Sequence, residues 1–121
     1  MNPVLTIAKR AALSAGRILL RHFDHLERLN VTAKQRNDFV SEADIQAERD
    51  IIQILRKTYP NHGILAEESG ELPGQDEYQW VIDPLDGTTN FLHGIPHFAI
   101  SIAFRHKNRL RASARDDASP L

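Results

Sequence analysis

The chain has 121 residues, 41% of them apolar, and a net charge of −1 with both signs interspersed; this suffices for one domain with a core and supplies no basic stripe for nucleic acid. It contains no cysteine, so a disulfide framework and a thiolate metal site are excluded, and a reducing compartment is compatible with that. No apolar run reaches the length of a membrane span, and Lys9 and Arg10 interrupt the start with an amphipathic pattern unlike a signal core, so a cytoplasmic protein without membrane contact is expected.

Asn2 and Pro3 read as a cap followed by a first-turn proline, and Val4, Ala8, Ala11, Ala15, Ile18, Leu19, Phe23 and Leu26 recur with helical spacing, which predicts a long first helix. A polar connection holding Lys34 follows. Ser41 and Asp44 form a start resembling a capping box for a second helix, with Ile45, Ile51, Ile52 and Leu55 as its apolar face and Tyr59-Pro60 as its stop. Ile64-Leu65-Ala66 reads as a short strand, Ser69 to Glu77 as an exposed loop, and Tyr78 to Ile82 as a second strand whose ladder Pro84 ends. A third strand runs from Phe98 to Phe104, apolar on both faces and therefore expected inside a layered structure. From Asn108 to Leu121 neither strand alternation nor a useful helical period is present. The expectation is one domain over 1–107 and a discordant, disordered tail over 108–121, the basic stretch from Arg105 to Arg115 being a solvated strand edge or tail.

The segment Trp80 to Phe91, WVIDPLDGTTNF, sets Asp83 and Asp86 three residues apart at the end of an apolar strand, and Asp86-Gly87 then turns the chain into Thr88, where free N–H groups can face an anion. Either dipeptide alone is an ordinary turn, and Glu67-Glu68 alone is a solvated acidic pair. If Glu67, Asp83 and Asp86 converge, each pair about 4 Å apart repels by about 4 kcal/mol at an effective dielectric of 20, so the group must take up protons or a divalent cation. All-oxygen ligands select a hard ion, and a phosphate substrate favours Mg²⁺ over Ca²⁺.

The same twelve residues, with Ala66-Glu67-Glu68-Ser69, Lys34, Asn37 to Asp44 and Ile95 to Ser101, resemble the inositol monophosphatase family of magnesium-dependent, lithium-sensitive phosphatases, over the chain up to Lys107. The resemblance implies an α/β layered sandwich, α+β in the part present, with two N-terminal helices on an antiparallel sheet. It implies that Glu67, Asp83 and the Leu85 carbonyl hold one metal, with Asp83 and Asp86 reaching a second. Thr88, held by Asp44, would orient the attacking water. Glu67, Leu85, Asp86, Gly87 and Thr88 would meet the substrate, the Gly87 and Thr88 amides cradling its phosphate. Glu68 would stand behind the first ligands or hold a weaker third cation, and Lys34 would be a mobile lysine near the metals. Read without the resemblance, Asp44 is a first-turn helix acid and Lys34 a solubilising lysine. His93 and His97 have a four-residue spacing, but Gly94 and Pro96 argue against a helical ligand pair; His22, His25, His62 and His106 read as surface residues.

The implied reaction is in-line attack of activated water on a phosphate monoester such as myo-inositol phosphate or a related polyol phosphate, without a covalent enzyme intermediate. Members of the family are often homodimers and continue into a second half whose Trp-Asp motif completes the second metal site. The composition shift after Lys107 suggests a reading-frame change or a truncation, against a naturally short homologue. The alternative function is a catalytically inert fragment that retains metal or protein binding.

Overall fold

The protein is described by a computed structural model covering residues 3–28, 33–87, 91 and 98–117, without the side chains at 26–28, 33, 36, 39 and 86. Thr88, His93, His97, the Asp86 carboxylate and residues 118–121 therefore lie outside the described residues.

Helix α1 spans Pro3–Arg28. Ala8, Ala11, Ala15, Leu19 and Phe23 are buried along one stripe, as their spacing predicts, and the small alanines admit a close neighbour. Helix α2 spans Ala33–Thr58, eight residues longer at its start than Ser41 suggests. Ala33, Lys34, Gln35 and Arg36 are strong helix formers, and Val40 extends the buried line of Ala43, Ala47, Ile51 and Leu55. Packing therefore pulls the start backward. Asp44 consequently sits mid-helix rather than in a first turn, Lys34 lies on the helix rather than in a connection, and Ile45 and Ile52 are only half-buried.

Five strands follow in the order β2-β1-β3-β4-β5: β1 Gly63–Ala66, β2 Gly70–Leu72, β3 Tyr78–Asp86, β4 Ala99–His106 and β5 Arg109–Asp117. Part of the expected loop over Ser69–Glu77 is β2, which folds back on β1 with Ala66 opposite Gly70. That reversal makes the chain enter β3 in the same direction as β1, so the sheet is mixed rather than antiparallel. Pro84 does not end β3 either. The register passes from Asp83 opposite Ser101 to Asp86 opposite Ala99, so Pro84 and Leu85 face a single residue of β4 in a bulge, where a missing N–H is tolerated.

The expected tail is largely strand. A two-residue turn at Lys107 and Asn108, both at positive φ (50° and 65°), starts β5, and a ladder with β4 carries it to Asp117. The ladder needs backbone groups rather than alternation, and Ala114 is buried.

Both helices cover one face of the sheet. Ile64, Trp80, Ile82, Ile100, Ile102 and Phe104 form the floor of the core beneath them. Phe91 is wedged between Phe23 and Phe98, with ring centroids at 5.5 and 4.9 Å, which ties the chain after the Asp86-Gly87 turn to α1. His62 and His106 are not surface spectators. His62 Nδ1 accepts the Trp80 indole N–H at 3.1 Å and its ring stacks on Tyr59 at 4.7 Å, while His106 stacks on Tyr78 at 4.2 Å. Burial holds His62 below the usual imidazole range, with Asp76 acting in the opposite sense. Among the described residues, no helix is long and apolar enough to cross a membrane.

Candidate metal centre

The parallel pairing of β1 and β3 ends where Ala66 lies opposite Ile82, so Glu67 leaves the end of β1 beside the point where β3 runs on into Asp83. Glu67 opens the three-residue turn from β1 to β2, and Gly70 closes it at φ +69°, a conformation that costs a residue with a Cβ about 1–2 kcal/mol. The bulge in β3 matters for the same reason. In an unbroken strand, positions 83 and 86 fall on opposite faces; the extra residue pairs them with Ser101 and Ala99, two residues apart on one face of β4.

Helix α2 supplies the floor. Asp44 and Glu48 are one turn apart on its buried stripe, 7% and 1% exposed. Carboxylate oxygens of Asp44, Glu67 and Glu68 lie within 4.8 Å of one another. Burial first, then the charges of Glu67, Glu68, Glu48 and Asp83, push Asp44 up to about 7. Glu67 is raised as well, by desolvation and then by Asp83, Glu68 and Glu48. Asp44 Oδ1 is buried with no hydrogen-bond partner among the described residues. An orphaned carboxylate oxygen facing two further carboxylates fits a hard divalent cation, which would relieve the desolvation and the repulsion together.

The sequence-derived set is distributed as follows. Glu67 and Asp83 act on each other electrostatically, and Glu68 and Asp44 join Glu67 in the close cluster. Leu85 is 2% exposed, within the bulge. Gly87 has φ +93°, and its carbonyl accepts the Phe91 N–H at 3.0 Å. The proposed pairing of Asp44 with Thr88 lies outside the described residues, as does the Asp86 carboxylate. Lys34 is exposed, ten residues before Asp44 on α2 and so about 15 Å away along the helix axis; the structure does not bring it into the cluster.

Sequence reasoning missed Glu48. Its two oxygens accept the Glu68 N–H at 2.9 Å, the Ser69 N–H at 2.9 Å and the Ser69 hydroxyl at 2.7 Å. The available signal was its place four residues after Asp44 on the buried line of Ala43, Ala47 and Ile51, where an ionisable residue must have partners.

Asp44 gives a pH prediction. Its folded pKa lies above its unfolded value of 3.8, so the contribution of Asp44 to the stability of the cation-free chain is full below about pH 4 and is lost as pH rises through about 7. Asp44→Asn is therefore expected to stabilise the cation-free protein at pH 8, by on the order of 2–4 kcal/mol, with the gain shrinking toward pH 4. Urea midpoints at the two pH values read this directly. A gain of equal size at both would contradict a strained, ionising Asp44.

The description "Inositol monophosphatase family" matches residues 1–114. The Nus factor SuhB of Pseudomonas aeruginosa is 52% identical over 113 residues, 91% of this chain and 42% of that protein, and its Haemophilus influenzae counterpart is 48% identical over 110 residues, 90% and 41% respectively. Among solved structures, the extragenic suppressor protein suhB of Bartonella henselae superposes with a TM-score of 0.84 at 40% identity, over 97% of this chain and 44% of that one. The inositol monophosphatase of Anabaena gives 0.78 at 39% identity, over 95% and 40%. The chain thus spans about two fifths of the length of these relatives.

Proposed function

Because the chain belongs to the inositol monophosphatase family, we propose that it carries the cation-binding half of a Mg²⁺-dependent phosphomonoesterase acting on myo-inositol phosphate or a related polyol phosphate. The observation that carries this reading is the convergence of Asp44, Glu67 and Glu68 on one point, beside Asp83, at the ends of two parallel strands.

In this reading Glu67, Asp83, Asp86 and the Leu85 carbonyl would hold Mg²⁺, with Glu68 adjoining. Mg²⁺, when bound, supplies Lewis-acid charge at the phosphate and makes water nucleophilic at neutral pH. The chain's own groups do the rest. The backbone turns at Gly87, with φ +93°, and in this reading the N–H groups of Gly87 and Thr88 would meet phosphate oxygens. Asp44, buried and with one oxygen short of a donor among the described residues, would steady the Thr88 hydroxyl beside the attacking water. The setting we propose is a cytoplasmic enzyme, lithium-sensitive and homodimeric, with no nucleic-acid or membrane partner.

A second reading, an inert chain that keeps cation or protein binding, draws on the exposed Leu65 and Leu110, the latter on the edge strand β5, and on relatives named Nus factors.

Phosphate release from inositol 1-phosphate separates the two. The 121 residues alone are expected to bind Mg²⁺ and release phosphate only at background, because the resemblance assigns a further metal ligand to sequence beyond them. Joined to the remaining part of the Pseudomonas aeruginosa relative, the chain should turn substrate over in a Mg²⁺-dependent way, and Lys34→Ala should slow it only partially. A joined protein that folds and binds Mg²⁺ without hydrolysing the substrate would favour the second reading.

A further inference from the structure

Glu48 is a fully buried carboxylate in a place that already holds excess negative charge, and burying such a group costs several kcal/mol unless it is well hydrogen-bonded. Here it is. Oε1 accepts from the Glu68 N–H, and Oε2 from the Ser69 N–H and the Ser69 hydroxyl, at 2.7–2.9 Å. All three donors belong to the turn that joins β1 to β2. That turn lies beyond the last paired residues of the hairpin, Ala66 and Gly70, so its amides have no ladder partner and need another acceptor.

The acceptor comes from α2, one helical turn after Asp44. A single side chain therefore ties the turn bearing Glu67 and Glu68 to the same helix that presents Asp44. We infer that Glu48 is a positioning residue for the cation site, holding the Glu67–Ser69 turn so that Glu67 and Glu68 face Asp44; the inference rests on the metal-centre reading above. The carboxylate is required by its donors. Glutamine offers one acceptor oxygen and in either orientation would turn its NH₂ group toward a backbone N–H, donor against donor, while aspartate falls one methylene short.

The test is Mg²⁺ titration calorimetry of the 121-residue chain and of Glu48→Gln and Ser69→Ala, at a temperature where circular dichroism shows each protein folded. Loss of an outer partner of a metal ligand typically weakens binding about 10–100-fold, and E48Q is expected in that range. Ser69→Ala keeps the carboxylate and both amide bonds, and should lose only a few-fold. A purely structural role would lower the unfolding midpoint while leaving the affinity of the folded protein unchanged; E48Q affinity within twofold of wild type overturns the inference.

If the wild-type chain binds no Mg²⁺, the metal-centre reading fails and this inference with it, which is a different result from wild-type binding that E48Q retains. Should E48Q not fold, Ser69→Ala and the exchange rates of the Glu68 and Ser69 amides in the wild type decide. Unchanged affinity in the variant, or amides exchanging as fast as those of an open turn, overturns it.

Discussion

Asp83→Asn, in the chain joined to the missing part of a relative, is expected to abolish Mg²⁺-dependent phosphate release. Asp83 pairs with Ser101 just before the bulge in β3 and contributes to the raised pKa of both Glu67 and Asp44. In the proposed centre it would be one of the carboxylates that hold Mg²⁺. Asp83 is solvent-exposed in the cation-free structure, so the loss would come from the charge withdrawn from Mg²⁺, which is worth several kcal/mol at the transition state, or on the order of 10²–10³-fold in rate. The change keeps the shape of the side chain, so folding should be untouched. Relief of repulsion on Glu67 should even raise cation-free stability slightly. Full turnover by a folded Asp83→Asn protein would remove Asp83 from the cation site, and a loss no larger than that of Lys34→Ala would remove the distinction between a ligand and a neighbouring lysine.

The second large effect is on the fold. Trp80→Ala should abolish or nearly abolish cooperative unfolding. Trp80 is 1% exposed in the middle strand β3, with its ring 4.7 Å from Phe104 and 6.2 Å from Tyr59, and its indole N–H donates to His62. Emptying such a site costs about 3–5 kcal/mol, and the unpaired His62 nitrogen adds about 1 kcal/mol. Domains have about 5–15 kcal/mol in total. A single helix pair on one sheet face should sit at the low end of that range, so this one change removes most of the reserve. Trp80→Phe keeps most of the volume and should lose far less. Because Trp80 is the only tryptophan, the comparison is made by circular dichroism in urea. A sharp transition for Trp80→Ala near the wild-type midpoint would show that the core does not depend on this ring.

Much of this architecture is legible without coordinates, because the signals are local. Helical spacing in α1, the Tyr59-Pro60 stop, the short apolar runs of β1, β3 and β4, and the turn at Asp86-Gly87 each follow from the dihedral preferences and periodicity of a few neighbouring residues. The acids at 67, 83 and 86 are likewise visible as a chemical set, and the repulsion they would exert on converging points to a cation before any fold is known.

What the tertiary structure decided is which of several locally acceptable choices was stabilised by a partner. Ala33 to Val40 could be a linker or a helix, and the burial of Val40 selects the helix. Arg109 to Asp117 has no strand pattern, yet the open edge of β4 pairs with its backbone, to which side-chain alternation is irrelevant. Asp44 and Glu48 look alike on paper as helix acids. Only packing against the Glu67–Ser69 turn makes one an orphaned, strained carboxylate and the other a saturated clamp, because the free energy of a buried charge depends on the donors that other parts of the chain bring within 3 Å of it.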